Sequence, residues 1–248
     1  MDERVPSETP SAATTPPRRA GRLRRLYGEE WRAWRRDYRR YFKYAARALG
    51  LGFVVGYLYF TLWPAQEKRA LQFVLQSLKD IPLQASPLVL ALTLFYHNAR
   101  ASAVALAAGV VPCLFLPIFD TLVNGGVLGL LVSIAKHQRL PVVRLVVTQI
   151  LPHGVIELTA VLYATSVGLY LSAAMGRKVR AARLRKRGIA PALTEPPPED
   201  FLETYPERAA AAAAESPARN VLRSFVLVVL PLLLIAAFIE GFITPNLH

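Results

Sequence analysis

Cysteine is almost missing from this sequence: Cys113 is the single one in 248 residues, which excludes a disulfide framework and a cysteine-based zinc site. Charge is nearly as sparse through the middle of the chain. From residue 84 to residue 175 the acids are Asp120 and Glu157 alone, and the bases are Arg100, Lys136, Arg139 and Arg144. A cleavable signal is missing too. In all, 43 polar-rich residues precede the first apolar segment, so that segment is expected to stay as an anchor. With no nucleotide-binding loop, no nucleophile elbow and no cysteine cluster, no enzyme is expected, and no catalytic residue or cofactor. His97, His153 and Glu157 can be sketched as a metal site, but His153 capping or hydrogen-bonding near the start of a span and Glu157 balancing Arg100 is the expected arrangement, so no metal is expected.

What is present is apolar. Hydrophobic residues make up 53% of the chain and charged ones 19%, and their segregation predicts an all-α, polytopic transmembrane helical bundle of about five spans. Residues 1–43 hold 12 Lys or Arg against 6 acids, and residues 176–219 hold 9 against 6. That excess marks both stretches as cytoplasmic. The same basic excess in a soluble chain would suggest nucleic acid; beside a spanning segment it needs no such partner, and none is expected.

Residues 1–21 show no apolar period and read as a disordered cytoplasmic tail. Residues 22–43 read as a basic amphipathic interfacial helix, with Trp31, Trp34, Tyr38 and Tyr41 on one face and Arg32, Arg35, Arg36, Arg39, Arg40 and Lys43 on the rest. Its predicted partner is a bilayer with anionic headgroups, each base contributing about 1 kcal/mol near the surface. Packing on the protein's own cytoplasmic loops is the alternative.

Residues 44–175 read as the transmembrane domain, with spans near 44–63, 98–119, 124–139 and 154–175 and a surface amphipathic helix at 65–82. Its middle is interrupted by His97, Asn98 and Arg100, by Pro112 and Pro117, by Asp120 with Asn124-Gly125-Gly126, and by Pro141. Broken or re-entrant helices are expected there. Residues 176–219 read as a cytoplasmic loop carrying the alanine run 209–214 as a surface helix, and 220–248 as the last span with a short external tail. Five crossings put the N terminus inside and the C terminus outside, and they leave Lys136, Arg139 and Arg144 outside, against the positive-inside rule.

Small residues at four-residue intervals make close-packing faces: Ala101, Ala105 and Gly109 on one segment, Ala160, Ala164, Gly168 and Ser172 on another. The two segments can pair with each other or across a homodimer. Polar groups at membrane depth form the candidate functional network: His97, Asn98, Arg100, Asp120, Asn124, His153, Glu157 and Glu240. Each ionised one costs about 3 kcal/mol at mid-bilayer and needs a partner, and Arg100 with Glu157 or Glu240 is the expected pair.

Four strings carry a resemblance: Asn98-Ala99-Arg100; Asn124-Gly125 ahead of Leu128-Gly129; Pro152-His153-Gly154 with Glu157; and Ile239-Glu240-Gly241-Phe242-Ile243-Thr244-Pro245. In this order the chain, over about residues 85–245, resembles the stage II sporulation protein M family. The resemblance implies a multi-pass protein of the bacterial cell membrane. It also implies a scaffold that recruits other membrane proteins or cell-wall-remodelling enzymes, as the founding member does with two peptidoglycan-remodelling partners. The rival reading from the residues is a small-solute or ion transporter or channel built on the intramembrane Arg, Glu and His network.

Overall fold

The computed structural model describes residues 21–77, 79, 86–112, 115–187 and 217–243. The expected tail up to residue 20, Cys113, the alanine run 209–214 and the tail after residue 243 lie outside these residues.

The described residues form an all-α bundle. Helix α1 (Arg22–Ala33), a widened π-helical turn (Trp34–Tyr38) and α2 (Arg39–Leu62) follow without a break. No Gly or Pro occurs between residues 29 and 49 to stop the helix. Residues 22–43, expected as a separate interfacial helix, are therefore the leading part of one helical stretch from Arg22 to Leu62. Pro64 ends it by pushing Trp63 out of the helical region (φ −125°, ψ 77°) and opens α3 (Pro64–Ser77).

Helix α4 (Pro87–Ala108) begins with proline at its first turn behind an extended Ser86. The expected span 98–119 is thus displaced toward the N terminus: α4 ends at Ala108, ahead of the helix-breaking Pro112, and Pro117 starts α5 (Pro117–His137). Asn124, Gly125 and Gly126, expected as an interruption, lie inside α5. Past Pro141, α6 (Val142–Leu145) and a second widened turn (Val146–Ile150) lead into α7 (Leu151–Lys186). The last helical stretch comprises α8 (Pro217–Ser224), a π segment (Phe225–Val229), α9 (Leu230–Phe238) and a closing π segment (Ile239–Ile243). Four stretches are long and apolar enough to cross a membrane: Arg22–Leu62, Pro117–His137, Leu151–Leu184 and Ala218–Ile243. Helix α4, diluted by His97, Asn98 and Arg100, is a fifth long helix in the bundle rather than one of these four.

Neighbouring contacts set the helix directions. A Cβ on Gly52 would strike the Leu122 backbone and one on Gly56 the Gly126 backbone, so α2 and α5 run side by side in the same direction. Thr121 meets Thr165 at 2.8 Å while Pro117 lies against Gly168, so α5 runs opposite to α7. Asn98 meets Glu157, and Gly109 lies on the Gly168 backbone, so α4 runs with α7. Gly241 abuts Pro87 and Ala91, and Leu94 packs on Ala237, so the last stretch runs opposite to α4. The five long helices therefore alternate in direction along the chain.

Helix α7 is the hub. Ala160, Tyr163, Ala164 and Val167 bury against Ala33, Tyr38, Leu106, Val229 and Leu233, drawn from five other elements. Burial of this kind inside a membrane gains from close packing rather than from water release, which is why alanine, glycine and serine dominate the seams.

Candidate functional site

Helix α7 carries His153 and Glu157 one turn apart, so both side chains leave the same face. The closing π segment of the last stretch brings Glu240 to them. Gly241 makes that approach possible, because a Cβ there would stand 2.8 Å from the Pro87 carbonyl oxygen and 2.9 Å from the Ala91 Cβ. One ligand-capable atom from each of His153, Glu157 and Glu240 lies within 4.8 Å of the others, and all three residues are half-buried. From α4, Asn98 donates its amide Nδ2 to Glu157 Oε1 at 3.0 Å. Four polar residues from three helices thus converge near one end of the bundle.

Electrostatics make this cluster demanding. Two ionised carboxylates with oxygens no more than 4.8 Å apart repel by about 3.5 kcal/mol or more at an effective dielectric of about 20. Arg100 does not relieve that repulsion: among the described residues no ion pair joins it to Glu157 or Glu240. Arg100 follows Asn98 by two positions and so leaves α4 on a different side. It lines an open groove of about 610 Å³ between α4 and α5, together with His97 and Asp120. Asn124 closes back on its own helix, donating to the Asp120 carbonyl at 3.0 Å and to Asp120 Oδ2 at 3.3 Å. The eight residues expected as one network are therefore two groups, one around Glu157 and one along the α4–α5 groove.

The small faces meet within the chain. Gly109 lies against Gly168, whose own Cβ would stand 3.4 Å from the Ala105 carbonyl oxygen, and Ser172 donates to the Val111 carbonyl at 3.0 Å. Ala160 and Ala164 are buried in the core, while Ala101 faces the groove beside Arg100.

Residues 22–43 divide in a way the amphipathic pattern does not reveal. Trp31 is 60% exposed, but Trp34 stacks on Tyr163 at 5.3 Å and Tyr38 is fully buried. The bases Arg32, Arg35, Arg36, Arg39, Arg40 and Lys43 all point outward.

Two polar clusters were not anticipated. Glu30 is 3% exposed and accepts from Tyr163 (2.6 Å), Ser224 (2.5 Å) and Arg223 Nε (2.9 Å). Glu67 accepts from Ser133 at 2.7 Å and pairs with His137 Nδ1 at 2.9 Å, with Thr61 donating to Ser133 at 3.3 Å. An arginine just inside the last apolar run and the adjacent acids Glu29 and Glu30 in a basic helix were the available signals.

Compared with known proteins, residues 45–245 match the family model described as Stage II sporulation protein M. The chain belongs to the stage II sporulation protein M family. Neither a curated protein nor a solved structure matches it. Within this family member the four strings noted in the sequence take two physical roles. Asn98, His153, Glu157 and Glu240, from three of them, build the polar cluster. Gly125, from the fourth, lies against the Leu49 and Phe53 backbone and builds the α2–α5 seam.

Proposed function

We propose that the protein is an integral scaffold of the bacterial cell membrane that recruits or organises partner proteins, with cell-wall-remodelling enzymes as the chemical class. Membership of the stage II sporulation protein M family supports this reading. The observation that carries it is the closure of both main seams at the backbone: Gly52 and Gly56 against α5, Gly109 against Gly168. Helices seated backbone to backbone make a stiff shaft, whereas alternating access needs helices that separate around a wet midplane site. No enzymatic activity is part of this reading.

The end bearing Arg32 to Lys43 and Arg177 to Arg187 faces the cytoplasm by the positive-inside rule, with the outward bases on anionic headgroups. The chain then leaves the membrane on the outer side after its last helix. Reconstituted alone in liposomes, the protein should pass neither protons nor small ions. Crosslinking in cells should capture peptidoglycan-remodelling enzymes at its outer end. The rival conduit reading draws on Glu157 and Glu240 at membrane depth. Solute flux abolished by Glu157→Gln without a lower melting temperature would establish the conduit and overturn the scaffold.

A further inference from the structure

Among the described residues, the Glu30 and Glu67 carboxylates each accept hydrogen bonds from neighbouring side chains. The cluster around Glu157 gathers two carboxylates and an imidazole. His153 and Glu157 present ligand atoms from one face of α7, Glu240 presents another from the last stretch, and all three lie within 4.8 Å of one another. A metal ion held at about 2.0 to 2.2 Å by nitrogen and oxygen keeps its ligand atoms about 3 to 3.5 Å apart. Small side-chain rotations separate the two arrangements.

We infer that His153, Glu157 and Glu240 bind a divalent transition-metal ion that fastens the last helical stretch to α7. Two carboxylates match the charge of such an ion, which offsets the repulsion between them. The imidazole sets the class: a mixed nitrogen and oxygen set suits Zn²⁺ or Mn²⁺, whereas Mg²⁺ and Ca²⁺ favour oxygen alone. Asn98 acts as an outer-sphere partner, since its 3.0 Å hydrogen bond to Glu157 Oε1 orients that carboxylate and leaves its second oxygen for the ion. Half-burial near the bundle's end gives the ion an entry path and leaves coordination positions for water. This site stands apart from the scaffold reading, because the isolated chain binds the ion whether or not partners are recruited.

The test uses the full chain in detergent, stripped with a chelator and titrated with Zn²⁺, Mn²⁺ and Mg²⁺. Metal retained after desalting is counted by mass spectrometry, and the melting temperature is followed in parallel. The expected result is about one Zn²⁺ per chain, a metal-dependent rise in melting temperature, and Zn²⁺ binding at least about tenfold tighter than Mg²⁺. Glu240→Gln and His153→Gln should each weaken Zn²⁺ binding by at least about tenfold. Glu67→Gln, which alters the neighbouring imidazole and carboxylate pair, should bind as the wild type does. Wild-type protein that retains no Zn²⁺ overturns the inference without reliance on any variant. So does Zn²⁺ binding that survives both Glu240→Gln and His153→Gln, which would place the ion elsewhere, or Mg²⁺ binding as tight as Zn²⁺.

Discussion

Arg223 reaches Glu30 across 193 positions of sequence, its Nε donating to Oε2 at 2.9 Å, and its Nη1 reaches Glu29 at 3.0 Å. This fork ties the start of the last helical stretch to α1. It is the reason residues 22–43 belong to the bundle rather than to the membrane surface alone.

Removing one member of a buried pair leaves the other charge stranded, at about 3 kcal/mol or more. Glu30→Gln should therefore lower stability by about that amount in denaturant titrations of the detergent-solubilised protein. Joint replacement of Glu30 and Arg223 by leucine should recover most of the loss. A loss below about 1 kcal/mol for Glu30→Gln would mean that Glu29 alone satisfies Arg223.

Glycines along α2 differ sharply in what surrounds them. A Cβ on Gly56 would stand 2.7 Å from the Gly126 carbonyl oxygen, whereas one on Gly50 meets nothing within 4 Å. Gly56→Ala should force α2 from α5 and destabilise by about 1 to 3 kcal/mol. Gly50→Ala should stabilise by up to about 1 kcal/mol through helix propensity. Equal effects of the two substitutions on the melting temperature would deny that the seam is closed at the backbone.

The same seam marks where sequence reading stopped. Apolar runs and charge segregation revealed a helical membrane bundle, because those patterns are local. Asn124-Gly125-Gly126 read as a break, since glycine serves equally to interrupt a helix and to admit a neighbour, and only the neighbour decides. Here Leu49 and Phe53 are that neighbour. Asn98, His153, Glu157 and Glu240 were each legible from their cost inside apolar segments. Their pairing was not: Arg100 is two residues from Asn98, yet one faces the α4–α5 groove and the other faces Glu157. Glu30 and Arg223 escaped because one lies among the charges of a basic helix and the other at the start of an apolar run, where a charge looks inexpensive.

Glu157 and Glu240 yield a prediction opposite in sign to that of a salt bridge. With chelator present, Glu157→Gln relieves carboxylate repulsion and keeps an oxygen for Asn98 to donate to. Stability should rise by about 1 kcal/mol or more, a part of the repulsion set by distance and dielectric. A fall of about 3 kcal/mol under the same conditions would show that a cation of the chain, His153 foremost, pairs with Glu157 after all.

Alternating helix directions give the last prediction, which concerns sides. Helix α2 runs with α5 and against α4 and α7, and the last stretch runs against α4. The beginning of α2 and the end at Ile243 therefore lie at opposite ends of the bundle. Basic residues crowd the first of these ends, with Arg32, Arg35, Arg36, Arg39, Arg40 and Lys43 outward there and the run from Arg177 at the far end of α7. By the positive-inside rule, that crowding predicts the first end to be the cytoplasmic one. Lys136, Arg139 and Arg144 lie toward the opposite end, at the close of α5 and around α6, where three bases are outweighed by the larger excess. A reporter enzyme inserted at residue 200 should thus be active only in the cytoplasm, and one fused after His248 only outside. Cytoplasmic activity from the second fusion would require the last stretch to turn back within the membrane, against the direction set by Gly241 on Pro87 and by Ala237 on Leu94.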